Sequence, residues 1–156
     1  MPPIALSQYR MIHDVYVLLD DGDQRLLRSF NLSTSQFAVL VLLDAEQGWR
    51  LTDLSDHLLI DKSTVTRIID RLEHMQLVRR VADAADRRVQ RVVLTQEGVL
   101  QRDATRAAHE GSLERRMSSL TLDEQSQLEH LLSKLRNGLQ ADLVRAAAPI
   151  SPIASS

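Results

Sequence analysis

The 156-residue sequence contains no cysteine, few aromatic residues and no long hydrophobic run. Without cysteine the chain has no disulfide, no thiolate metal site and no thiol redox switch, which fits a reducing cytoplasm. The longest apolar stretch, FAVLVLL at 37–43, is far shorter than the about 20 residues that span a bilayer. The start, MPPIALSQYR, lacks the basic and apolar regions of a secretory signal. We therefore expect a cytoplasmic protein with no membrane partner.

The sequence also lacks the signatures of common enzyme classes. It has no glycine-rich phosphate loop, no nucleophile elbow and no paired carboxylates in a catalytic context. Its five histidines are scattered, and no two have the tight spacing of metal ligands. We therefore expect no enzyme, no cofactor and no metal, while a metal-sensing site assembled across helices remains an alternative.

Aliphatic residues supply the core, because 44% of the residues are hydrophobic and only 3% are aromatic. Such a composition suits packed helices with aliphatic stripes. Apolar spacing and capping residues predict six helices. The first helix runs over about 7–30, and the second from a Ser33 cap to about Glu46. The third begins at a Thr52 cap and the fourth at an Asp61 cap. The fifth runs from a Thr95 cap to about Ser119, and the sixth begins with the capping box TLDE at 121–124.

Three local signals predict how the first elements connect. DDGD at 20–23 weakens the first helix and indicates a break or kink there. Asn31 is expected to take the left-handed conformation that ends this helix. QGW at 47–49 is expected to form a turn.

Residues 51–94 predict a helix-turn-helix followed by a β-hairpin. Leucines at 51, 54, 58 and 59 define the apolar side of the third helix, and the fourth has a buried side. That side comprises Val65, Ile68, Ile69, Leu72 and Met75. After Leu77, the β-branched VRRVA, the polar DAADRR and VQRVVL predict two strands and a turn. Two short helices with a following hairpin form a winged helix-turn-helix.

The charge is unevenly distributed along the chain. The formal net charge is −2, but residues 62–91 carry +4 and the rest of the chain −6. A basic segment in an otherwise acidic molecule suits a protein that meets phosphate on one face only. The same face could instead bind an acidic protein partner, so a protein-binding adaptor is the competing function.

The leading turns of the fourth helix carry the candidate DNA-reading residues. The major groove admits one helix, and short donors or forked cations at its leading end reach base edges. Ser63, Thr64, Thr66 and Arg67 meet this requirement, and Arg67 is our choice for a guanine edge. Lys62, with the hydroxyls of Ser63 and Thr64, equally suits phosphate oxygens.

The hairpin supplies a second set of candidates. At its tip Asp86 can hold one arginine while another projects, and Arg87 and Arg88 suit the negative minor groove of A·T-rich DNA. Phosphate contacts are expected from the arginines on its legs, Arg79, Arg80 and Arg91.

The stretch LTDLSDHLLIDKSTVTRIIDRLEHMQLVRRVADAADRRVQRVVLT resembles the winged helix of the MarR family of bacterial transcription regulators. FNLSTSQFAVLVLL resembles the family's preceding helix, and the flanks resemble its dimerisation helices, so the resemblance covers roughly residues 6–145. It implies a homodimer that binds a near-palindromic operator on double-stranded DNA. It also implies that a small aromatic or anionic effector releases the DNA, and that most such regulators repress.

The resemblance places an effector pocket near Tyr9, His13 and Tyr16 on the first helix, although core packing is the alternative for each. Two positions depart from the family pattern. Gln76 stands where glycine is usual, which implies a strained or altered helix end, and Ala84 replaces a common proline, which implies a more flexible wing.

We therefore predict an all-α fold with a small β-hairpin wing and a ligand-responsive repressor function. The domains are expected to be an N-terminal dimerisation helix at 1–32, a winged helix-turn-helix at 33–95, C-terminal dimerisation helices at 96–146 and a disordered tail at 147–156.

Overall fold

The computed structural model describes residues 4–146 of the chain, so the tail predicted at 147–156 lies outside the described residues. Within that range six helices and three short strands follow one another, and the predicted class of a helical protein with a small hairpin is confirmed. In chain order they are α1 (Ile4–Ser29), α2 (Thr34–Leu42), β1 (Trp49–Arg50), α3 (Leu51–Leu58), α4 (Lys62–His74), β2 (Val78–Ala82), β3 (Gln90–Leu94), α5 (Gln96–Met117) and α6 (Leu122–Ala146).

Helix α1 continues without a break through the DDGD segment, contrary to the break or kink indicated by its sequence. Gln24 donates to Asp20 at 2.6 Å and Arg25 donates to Asp21 at 2.8 Å, so side chains one turn apart link across this segment. Such pairs stabilise a helix and offset the weak propensity of glycine. The helix ends as predicted, because Asn31 has φ +60°.

Helix α2 begins with the predicted capping box and ends earlier than predicted. The Ser33 hydroxyl accepts from the Gln36 N–H at 3.1 Å, and the Gln36 side chain accepts from the Ser33 N–H at 2.8 Å. The helix ends at Leu42, not near Glu46, because one Asp44 oxygen accepts from three successive backbone N–H groups of the following turn. The hydrogen bond from the Gly48 N–H is the main reason that the pKa of Asp44 is lowered.

A three-stranded antiparallel sheet, ordered β1-β3-β2, adds a strand that the sequence did not predict. Trp49 pairs with Val92 and Arg50 with Arg91, so the predicted turn at 47–49 runs directly into strand β1. Gly48 has φ +65°, and a Cβ there would lie 2.5 Å from the Val92 carbonyl oxygen. Glycine is therefore required where the chain enters the sheet.

The predicted start of α3 and part of its apolar side are wrong. The N-cap is Arg50, without a side-chain hydrogen bond, and Thr52 lies inside the helix. Leu59, expected on the apolar side, has φ +54° and is 90% exposed, because it forms the left-handed end of the helix. The turn to α4 is closed by Ser55, whose hydroxyl donates to the Ile60 carbonyl at 2.6 Å.

Contacts divide the chain into two compact units, Met1–Ser112 and Leu113–Ser156, and the winged helix lies wholly in the first. The predicted boundaries at residues 32, 95 and 146 stay a prediction. The core of the first unit is aliphatic and includes the predicted inner side of α4. Its fully buried large side chains are Leu27, Val39, Leu40, Leu43, Leu54, Val65, Ile69, Leu72, Val78, Val92, Val93 and Leu94.

The second unit contains the end of α5 and helix α6. Its predicted capping box is present, since Thr121 N–H donates to Glu124 at 2.8 Å and Glu124 N–H donates to the Thr121 hydroxyl at 3.3 Å. Leu128 of α6 is half-buried, and its other leucines are exposed in the single chain, among them Leu131, Leu132, Leu135, Leu139 and Leu143. None of the helices within residues 4–146 has the length and apolar character needed to cross a membrane.

Candidate nucleic-acid interface

Asp61 caps helix α4 as predicted and orders the hydroxyls of its first turn. It accepts from the Thr64 N–H at 2.9 Å and from the Thr64 hydroxyl at 2.7 Å. Its other contact is the Ser63 hydroxyl, which donates to the same oxygen as the Thr64 N–H. These bonds, that of Ser63 above all, hold the pKa of Asp61 well below its usual range. Both hydroxyls donate to Asp61, so each oxygen meets further donors only with its lone pairs, and that of Thr64 already accepts one N–H of Arg67.

The exposed face of α4 carries the predicted reading residues side by side. Thr66 donates its hydroxyl to the Lys62 carbonyl at 2.8 Å, and Arg67 donates one N–H to the Thr64 hydroxyl at 3.3 Å. Arg67 forms no ion pair with a carboxylate of the described residues, and its remaining guanidinium donors are exposed. The inner face of the helix is buried, so this polar face points away from the core.

The arginines of strand β2 point in different directions. Arg79 is exposed, whereas the side chain of Arg80 is only 20% exposed and turns back onto α4. Arg80 pairs with Asp70 at 2.6 Å and also with Glu73. The structure therefore ties the predicted phosphate-binding Arg80 into an ion-pair cluster that joins the wing to helix α4.

Asp83, at the start of the wing turn, is a structural centre that sequence reasoning missed. It is 3% exposed and accepts from Arg91 at 2.6 Å and from Arg50 at 3.2 Å. The N–H groups of Ala85 and Asp86 also donate to it, at 2.8 and 3.2 Å. Arg91, followed by the two N–H groups, holds the pKa of Asp83 well below its usual range. The sequence signal that could have identified this role is an aspartate whose side chain accepts from the backbone N–H groups two and three residues later, the pattern of an Asx turn.

The Arg91 side chain is consequently bound to other groups of the protein. Besides Asp83, it donates to the Gln47 and Gly48 carbonyls at 3.3 and 3.0 Å, which ties the wing to the turn before β1. Its predicted phosphate contact stays a prediction, but the geometry assigns it first to anchoring the wing.

The wing tip has the predicted arrangement of one held arginine and one projecting arginine. Asp86 accepts from the Arg88 backbone N–H at 3.0 Å and from its side-chain Nε at 3.3 Å. The Arg88 side chain is nevertheless 92% exposed, and Arg87 is exposed beside it. Exposed ion pairs are worth only about 0–1 kcal/mol, so this one can open when a phosphate approaches.

The expected strain after α4 is present at Gln76, which has φ +60°. The Gln76 carbonyl accepts from the Thr95 hydroxyl at 2.7 Å. The Leu77 N–H donates to the Leu72 carbonyl at 3.0 Å at the end of helix α4. A side chain in this left-handed conformation costs about 1–2 kcal/mol relative to glycine. Nothing in the structure measures the flexibility expected from Ala84, which is exposed.

Tyr9, His13 and Tyr16 lie at four- and three-residue spacings along one side of α1 and are all exposed. They are therefore not core residues of the single chain, and their role towards an effector stays a prediction. Among residues 4–146 no group of three or more metal-ligating side chains is brought together.

Comparison with known proteins agrees with this geometry. A sequence model of the MarR family matches residues 32–89. The HTH-type transcriptional repressor MdtR of Bacillus subtilis is 29% identical over 111 residues, covering 71% of this chain and 72% of MdtR. YkoM of Bacillus subtilis, an uncharacterised HTH-type transcriptional regulator, is 30% identical over 130 residues, covering 83% of this chain and 84% of YkoM.

The crystal structure of a mutant MarR from Escherichia coli complexed with operator DNA superposes with a TM-score of 0.73 at 28% identity, covering 85% of this chain and 94% of that one. The winged helix is thus shared in sequence and in structure with transcriptional regulators. The family match, the two relatives and the common fold together show that the chain belongs to the MarR family of transcriptional regulators.

Proposed function

We propose that the protein binds a near-palindromic operator on double-stranded DNA, with helix α4 in the major groove and the wing tip at the minor groove. The observation that supports this most is the outward face of α4, where Arg67, which has no ion pair within the described residues, stands among ordered hydroxyls. A forked cation beside hydroxyl oxygens is suited to guanine edges and neighbouring phosphates. The exposed Arg87 and Arg88 supply the second contact.

We assign residues to base reading, to phosphate contact or to support of the wing from the environment of each side chain. Arg67, with Ser63, Thr64 and Thr66, reads bases, and Lys62 and Arg79 contact phosphates. Arg80 and Arg91 support the wing, since each is bound to carboxylates and their side chains are only 20% and 32% exposed. Asp86 positions Arg88, and Arg87 reaches the DNA directly.

The protein acts as a homodimer in this proposal. Exposed apolar side chains cover α1, including Met11 at 63% and Leu18 at 72%, and the leucines of α6 are likewise uncovered. Exposed apolar areas of this extent indicate a protein interface. The winged helix at 33–95 would then bind DNA, while the flanks at 1–32 and 96–146 dimerise.

The regulatory part of the proposal is repression relieved by a small aromatic or anionic effector, as family membership implies. A ligand moves a two-state equilibrium only by its differential affinity, and a change from mostly bound to mostly free DNA needs about 5 kcal/mol. Tyr9, His13 and Tyr16 are the proposed effector contacts on α1. The protein catalyses no reaction in this proposal and works in the cytoplasm, where its DNA lies.

Fluorescence-anisotropy binding to the duplex upstream of the protein's own gene, against a scrambled duplex of equal composition, tests the function. A preference of about a hundredfold or more at physiological salt supports a sequence-reading regulator. Equal, weak binding to that duplex and to sequences selected from a random pool would contradict it. That outcome would favour the protein-binding adaptor, because an acidic protein partner would use the same basic face.

A further inference from the structure

Resting on the proposed function, we infer that Arg71 and Arg28 are phosphate-binding residues that extend the DNA contact from helix α4 to the end of helix α1. Neither residue was among those expected from the sequence to touch DNA. In the first compact unit, Arg71 lines the same cleft as Arg67, and Arg28 lines a second cleft that Arg71 also lines.

Two adjoining clefts connect these arginines. The first, about 500 Å³, lies between α2 and α4 and is lined by Ser35, Thr64, Arg67, Asp70 and Arg71, among others. The second, about 490 Å³, lies at the junction of α1 and α2 and is lined by Gln24, Arg28, Asn31 and Arg71, among others. Because Arg71, Ser33 and Gln36 line both, the surface runs continuously from the reading helix to Arg28.

Among the described residues, no ion pair joins Arg28, Arg67 or Arg71 to a carboxylate. On α1, Arg25 pairs with Asp21 at 2.8 Å, whereas Arg28 pairs with no carboxylate of the described residues. On α4, Asp70 is bound by Arg80 at 2.6 Å, and Glu73 binds Arg80 as well.

Arg67 and Arg71 therefore stand four residues apart on α4 without a described carboxylate partner for either. Like charges at this spacing destabilise a helix, and an anion from outside would remove the repulsion.

The neutral groups of the clefts also suit phosphate. The Ser33 hydroxyl already accepts from the Gln36 N–H, and its own proton has no acceptor among residues 4–146. Ser35 is exposed at the same edge. Hydroxyls, amides and arginines are the groups that contact phosphate oxygens in DNA complexes.

The axial spacing of Arg67 and Arg71 corresponds to about two phosphate steps of one DNA strand. Arginines four residues apart on a helix are separated by about 6 Å along its axis. One strand carries a phosphate for every about 3.4 Å of duplex axis. Because the two clefts share Arg71, a backbone that passes the leading end of α4 can continue over Arg71 and into the cleft beside Arg28.

The test uses the full chain with Arg71→Gln, Arg28→Gln and the double substitution, and Arg25→Gln as the matched control on α1. The slope of log affinity against log salt is measured on the upstream duplex and on its scrambled counterpart. Because the proposed homodimer carries two copies of each residue, each cleft substitution is expected to make the slope shallower by about 1.8, and the double substitution by about twice that. Both duplexes should be affected equally, and Arg25→Gln should leave the slope unchanged. Arg71→Lys, which keeps the charge, should restore it.

Three results would overturn the inference. Unchanged slopes in folded variants would exclude phosphate contact, and a loss confined to the upstream duplex would make Arg71 a base reader. If the slopes are unchanged but benzoate releases DNA from the wild type and not from the variants, the clefts bind small anions instead. If wild-type protein shows no preference for any duplex, the proposed function itself fails, so the two failures are distinguishable. Circular-dichroism melting confirms that each variant is folded.

Discussion

The Arg91 side chain donates to Asp83 at 2.6 Å and, from the same guanidinium, to two carbonyls of the turn before β1. One residue thereby fastens the base of the wing to a segment more than 40 residues earlier in the chain. Arginines of the wing consequently fall into two groups, those that build it and those that project from it.

Arg91→Ala and Arg87→Ala should separate these two groups. Arg91→Ala leaves the nearly buried Asp83 with only Arg50 as a charged partner, so the melting temperature is expected to fall by at least about 4 °C. Arg87 is exposed, so Arg87→Ala should leave the melting temperature unchanged and weaken DNA binding on all sequences. Thermal melting and anisotropy titration check both. Equal melting temperatures for the two variants would contradict the anchoring role of Arg91.

Gln76→Gly should stabilise the protein. Gln76 has φ +60°, a conformation that costs a residue with a side chain about 1–2 kcal/mol and costs glycine little. Part of this gain is offset by the greater freedom of glycine in the unfolded chain, so an increase of about 1 kcal/mol in the free energy of unfolding is expected. Denaturant titration measures it. Gln76→Ala is the control, because alanine keeps the Cβ and should give no comparable gain.

Gly98→Ala should destabilise the protein, although alanine is the better helix former. A Cβ at Gly98 would lie 1.9 Å from the Leu77 carbonyl oxygen, so helix α5 or the start of β2 would have to move. Overpacking of this kind costs about 1–3 kcal/mol.

The control for Gly98→Ala is Gly138→Ala in α6, where a Cβ meets nothing within 4 Å. That substitution should raise stability by up to about 1 kcal/mol. Parallel denaturant titrations compare the two. The same sign for both would mean that the close approach of Leu77 to α5 does not exist in solution.

Acidification should reduce stability below about pH 4. The pKa values of Asp61 and Asp83 are lowered in the folded protein, so each contributes stability that is present above the ordinary aspartate pKa of about 3.9. As the pH falls through that value the unfolded chain takes up protons before the folded one, and the contribution is progressively lost. Denaturant titrations between pH 7 and pH 3 measure this loss.

Asp83→Asn is the control, since an amide does not titrate in this range. It should be less stable than wild type at neutral pH, and the difference should narrow on acidification. A constant difference across the pH range would show that Asp83 is not held ionised by its partners.

Leu132→Asp should disrupt the proposed dimer. Leu132 is 45% exposed in the single chain and lies in the leucine stripe of α6, where a charge would be buried on association. Sedimentation equilibrium at low concentration should show monomer, with helical content retained if the fold survives alone. Gln127→Asp, an exposed position on the same helix, is the control and should stay dimeric. A folded dimer of Leu132→Asp would place the interface elsewhere.

The starts of α2, α4 and α5 were predictable from the sequence because capping is local, whereas that of α3 was not, since its N-cap Arg50 makes no side-chain hydrogen bond. Ser33, Asp61 and Thr95 each accept from an N–H group three residues ahead, and that spacing can be read directly. Helix ends were harder to predict. Helix α2 ends where Asp44 accepts from three N–H groups, which form a turn instead of continuing the helix. An aspartate followed by polar residues does not distinguish these outcomes.

Strand β1 and the environment of Asp83 depend on distant partners, which is why the sequence did not show them. Trp49 and Arg50 form a strand only because they pair with Val92 and Arg91 at the edge of strand β3. Two residues are too few to show the periodic pattern of apolar side chains by which a strand is predicted. The reading face of α4 was predictable, because its apolar side fixes which residues point outward. Which arginines are free to meet DNA was not, since that depends on where Asp70, Glu73 and Asp83 find their partners.

Arg80 joins β2 to α4 through Asp70 and Glu73, and this union has a mechanical consequence. Helix α4 and the wing are joined by the same ion pairs of Arg80, so they rotate together when the winged helix rotates. In the proposed function, an effector bound at α1 would therefore move α4 and the wing as one body. In the proposed homodimer, its effect on DNA would then be a change in the distance between the two winged helices, and so in the half-site separation that they fit.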